Sequence, residues 1–190
     1  MKIGLFFGSF NPIHIGHLIV ANTMVETTDL DRVWFIVSPQ NPFKKQKDLL
    51  HEFDRLDMVE KAIFDNANFS VSDVEFAMTR PSYTIDTLLL LRQKYPKHDF
   101  VLIIGGDNLA DFPKWKNAQQ ILDEFGLYVY PRPQSKPSDL QMHERVRMVE
   151  APLLDISATF IRKCLRLGAS VRYLVPQEVE HYLLQKKFYL

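Results

Sequence analysis

Gly8-Ser9-Phe10-Asn11-Pro12-Ile13-His14-Ile15-Gly16-His17 lies between an apolar run, Ile3-Gly4-Leu5-Phe6-Phe7, and a second one, Leu18 to Val25. The first run reads as a buried strand and the second as a helix. A strand that ends in a glycine-containing turn and feeds a helix N-terminus is a common polypeptide site for phosphate. His14 and His17 are three apart, so a first helical turn holding both would set them on one face. Unpaired N–H groups and the positive end of the helix dipole already favour an anion there. Gly8 would let the backbone approach a ligand closely, and Pro12 would stiffen the turn. A His-x-x-His pair also ligates metals, but no Cys, His or carboxylate stands nearby at ligand spacing, so no metal site is assigned.

The rest of the chain alternates in the same manner. Arg32 to Val37 reads as a second strand, followed by a loop rich in Pro, Asn and Lys from Ser38 to Lys47. A helix over Phe53 to Ala67 carries Leu56, Val59, Ala62 and Ile63 on one stripe. Phe69-Ser70-Val71 and Val74-Glu75-Phe76 are short strand candidates. Tyr83 to Tyr95 reads as a helix closed by Pro96, with Thr84 as its N-cap, and Asp99 to Ile104 as an apolar strand ending in Gly105-Gly106-Asp107. A helix over Asn117 to Phe125 and a strand over Leu127 to Tyr130 follow. Pro131 to Ser138 reads as a flexible segment too short to part domains. Beyond it come strand candidates at Val146 to Val149 and Leu153-Leu154, then helices over Ala158 to Leu167 and Gln177 to Lys187. Apolar strands separated by helices predict an α/β fold: one domain over 1–190, doubly wound, with a mainly parallel sheet covered by helices on both faces. Gly8, Ser38 and Gly105 all follow strands, so their three loops should then converge at the carboxyl ends of the strands.

Bulk properties agree with one folded domain. The 190 residues are 46% hydrophobic and 12% aromatic, enough for a proper core. Lys and Arg number 23, as do Asp and Glu, so no global basic field invites nucleic acid. A small phosphorylated ligand needs only a local cluster of cations. The single cysteine, Cys164, excludes an internal disulfide and fits a reducing compartment. A strand beginning within two residues of Met1 leaves no signal peptide, and no apolar run approaches the roughly 18 residues of a membrane span. The expectation is a cytoplasmic protein without a membrane partner. Association into a homo-oligomer is left open.

Ile156-Ser157-Ala158-Thr159-Phe160-Ile161-Arg162 is a second candidate anion site. Ser157 is a good N-cap, and Thr159 and Arg162 are three apart on the helix that follows. One helix end would offer backbone N–H groups, two hydroxyls and a guanidinium, whose planar fork suits phosphate.

The first stretch resembles the G-x-F-x-P-x-H-x-G-H signature, and the second the I-S-x-T-x-x-R motif, of the nucleotidyltransferase superfamily that includes the HxGH adenylyltransferases. Within it the chain is similar over essentially its full length to the bacterial nicotinate mononucleotide adenylyltransferases. Pro81-Ser82-Tyr83-Thr84-Ile85-Asp86-Thr87, Gly105-Gly106-Asp107-Asn108-Leu109 and Trp115-Lys116 carry that likeness. The resemblance implies a Rossmann-like fold and transfer of AMP from ATP to nicotinate mononucleotide, with Mg2+ held mainly by the ATP. It implies that His14, His17 and Arg162 act in the transfer. Gly8, Ser9, Phe10, Gly105, Asp107, Ser157 and Thr159 would join them around ATP. Tyr83, Thr84 and Trp115 would surround the pyridine ring, with Asp107 near a ribose. A stacking face suits an electron-poor ring, and a carboxylate accepts from ribose hydroxyls.

One stretch departs from the family. Pro39-Gln40-Asn41-Pro42-Phe43-Lys44-Lys45 stands where these enzymes commonly carry Pro-Pro-His-Lys, with Phe43-Lys44 in place of the second Pro and the His. Lys44 and Lys45 remain candidates for reaching the triphosphate as mobile point charges. The same first motif also occurs in phosphopantetheine adenylyltransferases and polyol-phosphate cytidylyltransferases, and a catalytically idle nucleotide-binding module is a further alternative. The presence of Trp115, Tyr83 and Thr84 favours the pyridine nucleotide, and joint retention of His14, His17, Ser157, Thr159 and Arg162 favours catalysis.

Overall fold

A computed structural model describes residues 1–39, 48–133 and 135–189. Lys44 and Lys45 therefore lie outside the described residues. The strands are β1 (Lys2–Gly8), β2 (Arg32–Val37), β3 (Phe69–Ser72), β4 (Asp99–Gly105), β5 (Leu127–Tyr130) and β6 (Val146–Met148). They form one sheet of six strands in the order β3-β2-β1-β4-β5-β6. Every pairing in it is parallel. The helices are α1 (Ile15–Thr27), α2 (Glu52–Ile63), α3 (Thr84–Lys94), α4 (Gly106–Leu109), α5 (Ala118–Glu124), α6 (Ala158–Arg166) and α7 (Gln177–Gln185). Among the described residues, no helix is long and apolar enough to cross a membrane.

The central strands β1, β2, β4 and β5 are almost wholly apolar because both of their faces are covered. Along β1, β2, β4 and β5, Phe6, Val33, Phe35, Val101, Ile103, Tyr128 and Tyr130 face one way. They pack with Val20 and Met24 of α1, Met58 and Val59 of α2, Ile161 of α6 and Leu183 of α7. The alternate residues Ile3, Leu5, Ile36, Phe100, Leu102, Ile104, Leu127 and Val129 face the other way. They meet Leu88 of α3, Leu109 of α4 and Ile121 of α5. The period of two along each strand thus sorts the chain into two cores.

Strand order reverses between β1 and β4, whose connections leave for opposite faces. The crevice of such a sheet lies at that reversal, outside the carboxyl ends of the strands. Gly8 closes β1, Ser38 follows β2 and Gly105 closes β4, so the expected convergence of their loops holds.

Several local expectations need correction. Val74-Glu75-Phe76 is not a strand but part of a 3-10 turn, Val74–Ala77. Glu75 is buried there and accepts a hydrogen bond from Thr87 Oγ1 at 2.7 Å, so a helix contact overrides the extended reading. Leu153-Leu154 forms no strand: it follows Pro152, and Leu153 is exposed. The helix begun at Phe53 stops at Ile63, short of Ala67.

Phe35 is fully buried in β2 and contacts the rings of Phe6, Phe10 and Phe69 at 5.5–5.7 Å. Phe35→Ala should cost about 3–5 kcal/mol, the usual loss for emptying an aromatic core position. Urea titration, read as a fall in midpoint at unchanged slope, checks this.

Candidate active site

His14 is the N-cap of α1, one residue outside the helix, and His17 is its third residue. The two rings do not merely share a face, as the spacing suggests; they stack, with centroids 3.7 Å apart and planes 25° from parallel. The backbone N–H of His14 donates to His17 Nδ1 at 3.2 Å. An acceptor nitrogen carries no proton, so neutral His17 holds its hydrogen on Nε2 and presents a donor on that side. The Phe6 and Phe10 rings stand edge-on to His17 at 6.0 and 5.1 Å and limit its rotation.

Gly16 is glycine because of His14. A Cβ there would lie 3.1 Å from His14 Nδ1 and 3.2 Å from its Cε1, closer than an unstrained contact. Gly8 has a similar reason: a Cβ would meet the Phe10 ring at 2.7–2.8 Å. The room at Gly8 is thus taken by Phe10, folded back into the core at φ 44°, rather than left open for a ligand. The Phe10 side chain is buried, so only its backbone is available to a ligand.

Burial pushes the His14 imidazole down to about 4, and the nearby Arg132 guanidinium adds to the effect. Burial, then His14, then Arg132 hold His17 well below the ordinary value. Both rings are therefore neutral at pH 7 and serve as hydrogen-bonding groups rather than as charges.

Ser157 caps α6, accepting from the Phe160 N–H at 3.2 Å. Arg162 Nη1 donates to the Asn11 carbonyl at 2.8 Å, and Nη2 lies 3.3 Å from Thr159 Oγ1. The two anion motifs thus meet through a direct hydrogen bond. Within this region His14 Nδ1 and Arg162 Nε are buried with no partner among the described residues. The Asn11 side chain, which the sequence reading passed over, is the node beneath them. Its Nδ2 donates to the Asp48 carbonyl at 2.9 Å, and its Oδ1 accepts from the Leu50 N–H at 3.2 Å and from the Tyr189 hydroxyl.

Asp107 is the second residue of α4, whose cap is Gly105, and its carboxylate is 3.8 Å from Arg132 Nε. A Cβ at Gly105 would collide with the Asp107 carboxylate. Phe6, His14, Gly16, His17, Arg132 and Ile156 line one cleft. Arg132 is a cation there that sequence reasoning missed; its place just beyond β5 was the available signal. A larger cavity of about 510 Å³ opens at the amino ends of the strands, with Lys2, Arg92 and Arg147 in its wall. Those charges are spent on Asp29 and Glu124 at 2.6–3.1 Å, and that end of a parallel sheet is away from the reversal crevice.

The cap of α3 is Tyr83, not Thr84, which is the first helical residue. No side chain caps this end: the Asp86 N–H donates to the Tyr83 carbonyl, while the N–H groups of Thr84 and Ile85 have no acceptor among the described residues. Lys116 Nζ sits 4.6 Å over the Tyr83 ring and pairs with Asp86 at 2.8 Å. Trp115, adjacent in sequence, packs on Phe112 at 5.5 Å. Tyr83, Thr84 and Trp115 are therefore brought to one neighbourhood, separate from the histidine pair. Among the described residues no group of three or more His, Cys, Asp or Glu is placed to hold a metal.

The Cytidylyltransferase-like family model matches residues 5–164. A Cytophaga hutchinsonii protein named "Probable nicotinate-nucleotide adenylyltransferase" is 62% identical over 189 residues, covering 100% of this chain and 98% of its own. A Flavobacterium johnsoniae protein of the same name is 45% identical, covering 100% and 99%. The structure of Plasmodium falciparum nicotinic acid mononucleotide adenylyltransferase complexed with NaAD superimposes with a TM-score of 0.83 at 19% identity, over 99% of this chain and 97% of that one. At that identity the superposition establishes the shared fold.

The unfolded chain protonates His14 near pH 6.5, whereas the folded protein resists until about pH 4. Through that window the unfolded state binds more protons, so stability is whole above pH 6.5 and falls as pH drops towards 4. His14 alone should account for about 3 kcal/mol of that loss. Urea unfolding of the wild type and His14→Gln at pH 7 and pH 4 checks it: the variant should lose correspondingly less.

Proposed function

The chain belongs to the cytidylyltransferase-like family and, within it, to the nicotinate-nucleotide adenylyltransferases, and from that premise we propose that it joins ATP to nicotinate mononucleotide. A phosphate oxygen of the mononucleotide attacks the ATP α-phosphorus, and the bond from that phosphorus to the bridging oxygen of pyrophosphate breaks. Nicotinate adenine dinucleotide and pyrophosphate leave. Phosphate is an adequate nucleophile, so no covalent enzyme intermediate is needed. Catalysis is then alignment of two anions and stabilisation of charge building on phosphoryl oxygens.

The observation that carries this reading is the junction of the two motifs, where Arg162 reaches across to Asn11 beside the stacked histidines. We assign His17 Nε2–H, oriented by the bond at Nδ1, to donate to the reacting α-phosphate. His14 supports it from the adjoining ring. Arg162, Thr159 and the capped end of α6 suit the β- and γ-phosphates, with Arg132 adding charge. Lys44 and Lys45 are further candidates for that role. Gly105 and Asp107 suit a ribose, and the backbone of Gly8, Ser9 and Phe10 suits the phosphates. Mg2+ would be carried mainly on the triphosphate and water, since no group of three or more His, Cys, Asp or Glu among the described residues is placed to hold it, and would neutralise charge on the leaving pyrophosphate. The reaction belongs in the cytoplasm, in keeping with the free thiol of Cys164. Pyrophosphate release measured over a panel of phosphorylated acceptors tests the assignment: nicotinate mononucleotide should lead, and a pantetheine or polyol phosphate in first place overturns it.

His17→Ala should lower kcat by about 10²–10³, the loss typical of one donor to a developing oxyanion. Retention of near-normal turnover in steady-state assays would remove His17 from the chemical step.

The pyridine acid should be preferred to its amide. The start of α3 offers donors without a side-chain cap, while Lys116, over the Tyr83 ring, is already paired with Asp86 and leaves those N–H donors to make the distinction. A carboxylate accepts at both oxygens, whereas an amide would aim its NH₂ at the same donors. The acid should win by about 10-fold or more in kcat/KM, and donor-built sites reach about 10⁴. Parallel kinetics with nicotinate and nicotinamide mononucleotides decide it, and parity sinks the claim.

A further inference from the structure

Arg55, on α2, is completely buried, and no carboxylate among the described residues pairs with it as an ion pair. Its donors go to backbone carbonyls. Nε donates to Leu50 at 3.0 Å, Nη1 to Ser9 at 2.6 Å and Ser38 at 2.7 Å, and Nη2 to Pro39 at 2.9 Å. Burial lowers its pKa only to about 10, so the guanidinium stays protonated at pH 7 and keeps all its donors. A lone buried charge is costly unless every donor is used, and a hydrophobic side chain would fill the same space more cheaply. Something other than packing is therefore gained from it.

That gain lies at Ser9. In a trans peptide the C=O and the following N–H point in opposite directions. Arg55 stands on the β2 side of β1, since it also holds the carbonyls of Ser38 and Pro39 just beyond β2. With the Ser9 carbonyl drawn to that side, the Phe10 N–H points away from Arg55 and from the end of β2. That N–H donates to no carbonyl among the described residues. Phe10 also sits at φ 44°, a conformation that a non-glycine residue holds only when its surroundings fix it. Its ring is fixed by Phe6 and Phe35, and the carbonyl before it is fixed by Arg55.

We propose that Arg55 is a positioning residue for the adenylyl transfer: by holding the Ser9 carbonyl it turns the Phe10 N–H into the reversal crevice as a donor to nucleotide phosphate. Arg55 touches no substrate itself. Lysine in its place keeps the charge but has three donors on one nitrogen, which cannot reach Leu50, Ser9, Ser38 and Pro39 together. The Ser9–Phe10 peptide would then lose its anchor.

The inference rests on the nucleotide reading given above, and the experiment separates the two. In wild-type protein labelled with ¹⁵N, adding α,β-methylene ATP with Mg2+, or nicotinate mononucleotide, should shift the Phe10 amide resonance and slow its hydrogen exchange. In folded Arg55→Lys that response should shrink, and kcat per folded molecule should fall about 10-fold or more, since small misplacements of this kind are expensive. A variant that only loses melting temperature, with wild-type kcat and KM, overturns the positioning role. So does a wild-type Phe10 amide that responds to neither nucleotide, a result that holds even if the variant fails to fold. Wild-type protein whose Phe10 amide responds but which releases no pyrophosphate would instead refute the assigned reaction and leave the positioning of Phe10 standing.

Discussion

Two imidazoles stacked 3.7 Å apart in a buried site tolerate each other only while they are not both charged, and that condition governs the surroundings of His14 and His17. At that separation two unit charges repel strongly in a medium poorer than water. Burial and Arg132 push both rings towards neutrality. A neutral imidazole has one donor and one acceptor, so its use to a phosphate depends on which nitrogen bears the hydrogen. The His14 N–H settles that question for His17 by occupying Nδ1. Gly16 must then stay small to leave the His14 ring in place, and Phe6 and Phe10 must wall the His17 ring. Gly8 in turn yields its side-chain space to Phe10. The glycines and phenylalanines of the motif are thus accounted for by the rings they surround.

The second dependence is long-range. Arg162 and Asn11 are 151 positions apart, yet their hydrogen bond joins the first loop to α6. Asn11 also receives the Leu50 N–H and the Tyr189 hydroxyl, and Arg166 of α6 pairs with Asp48 at 2.7 Å. Segments from both ends of the chain and from its middle therefore meet at one buried amide. Contacts of such sequence separation form only after the sheet has brought β1 near α6, so the site is assembled by the completed fold rather than by local structure. Arg55 repeats this arrangement on the other side of the same loop, with carbonyls in place of an amide.

The legible parts of the sequence were those governed by local pattern. Arg32 to Val37 and Leu127 to Tyr130 are strands with the bounds read from their apolar runs. The doubly wound architecture followed from alternation of such runs with helical stripes, and here the sheet is parallel throughout. Short runs misled. Val74-Glu75-Phe76 has strand composition, but Glu75 satisfies its buried carboxyl on Thr87, a contact invisible before α3 is placed. Thr84 has the chemistry of a cap, yet the backbone turns one residue earlier, at Tyr83, leaving the helix end uncapped. Within the site, the two motifs were legible as helix ends, but their direct contact was not. Asn11 falls on an unspecified position of the first motif, Arg55 lies in register with Met58, Val59, Ala62 and Ile63 on the buried stripe of α2, and Arg132 belongs to no motif; each was passed over because a lone polar or charged side chain reads as surface. Only tertiary structure distinguishes one that is fully buried from one facing water.

Charge distribution explains how a chain with no net charge suits an anionic ligand. At the amino ends of the strands, Lys2 and Arg147 share Asp29, and Arg92 holds Glu124, so the local field is largely cancelled. At the carboxyl ends the balance differs. Arg55 contributes an unpaired buried charge, Arg162 spends its guanidinium on a carbonyl and a hydroxyl, and Arg132 meets Asp107 only at 3.8 Å. Among the described residues no carboxylate pairs with Arg55 or Arg162, Asp107 stands off from Arg132, and the dipoles of α1 and α6 add to these charges. The histidines in between add donors without adding charge. On the proposed assignment, a triphosphate entering this region would meet positive potential at its walls and neutral, oriented hydrogen bonds at its centre. That division would suit transfer chemistry, because the charges would hold the anion in every state, while the oriented donors would strengthen as charge builds on the reacting phosphorus.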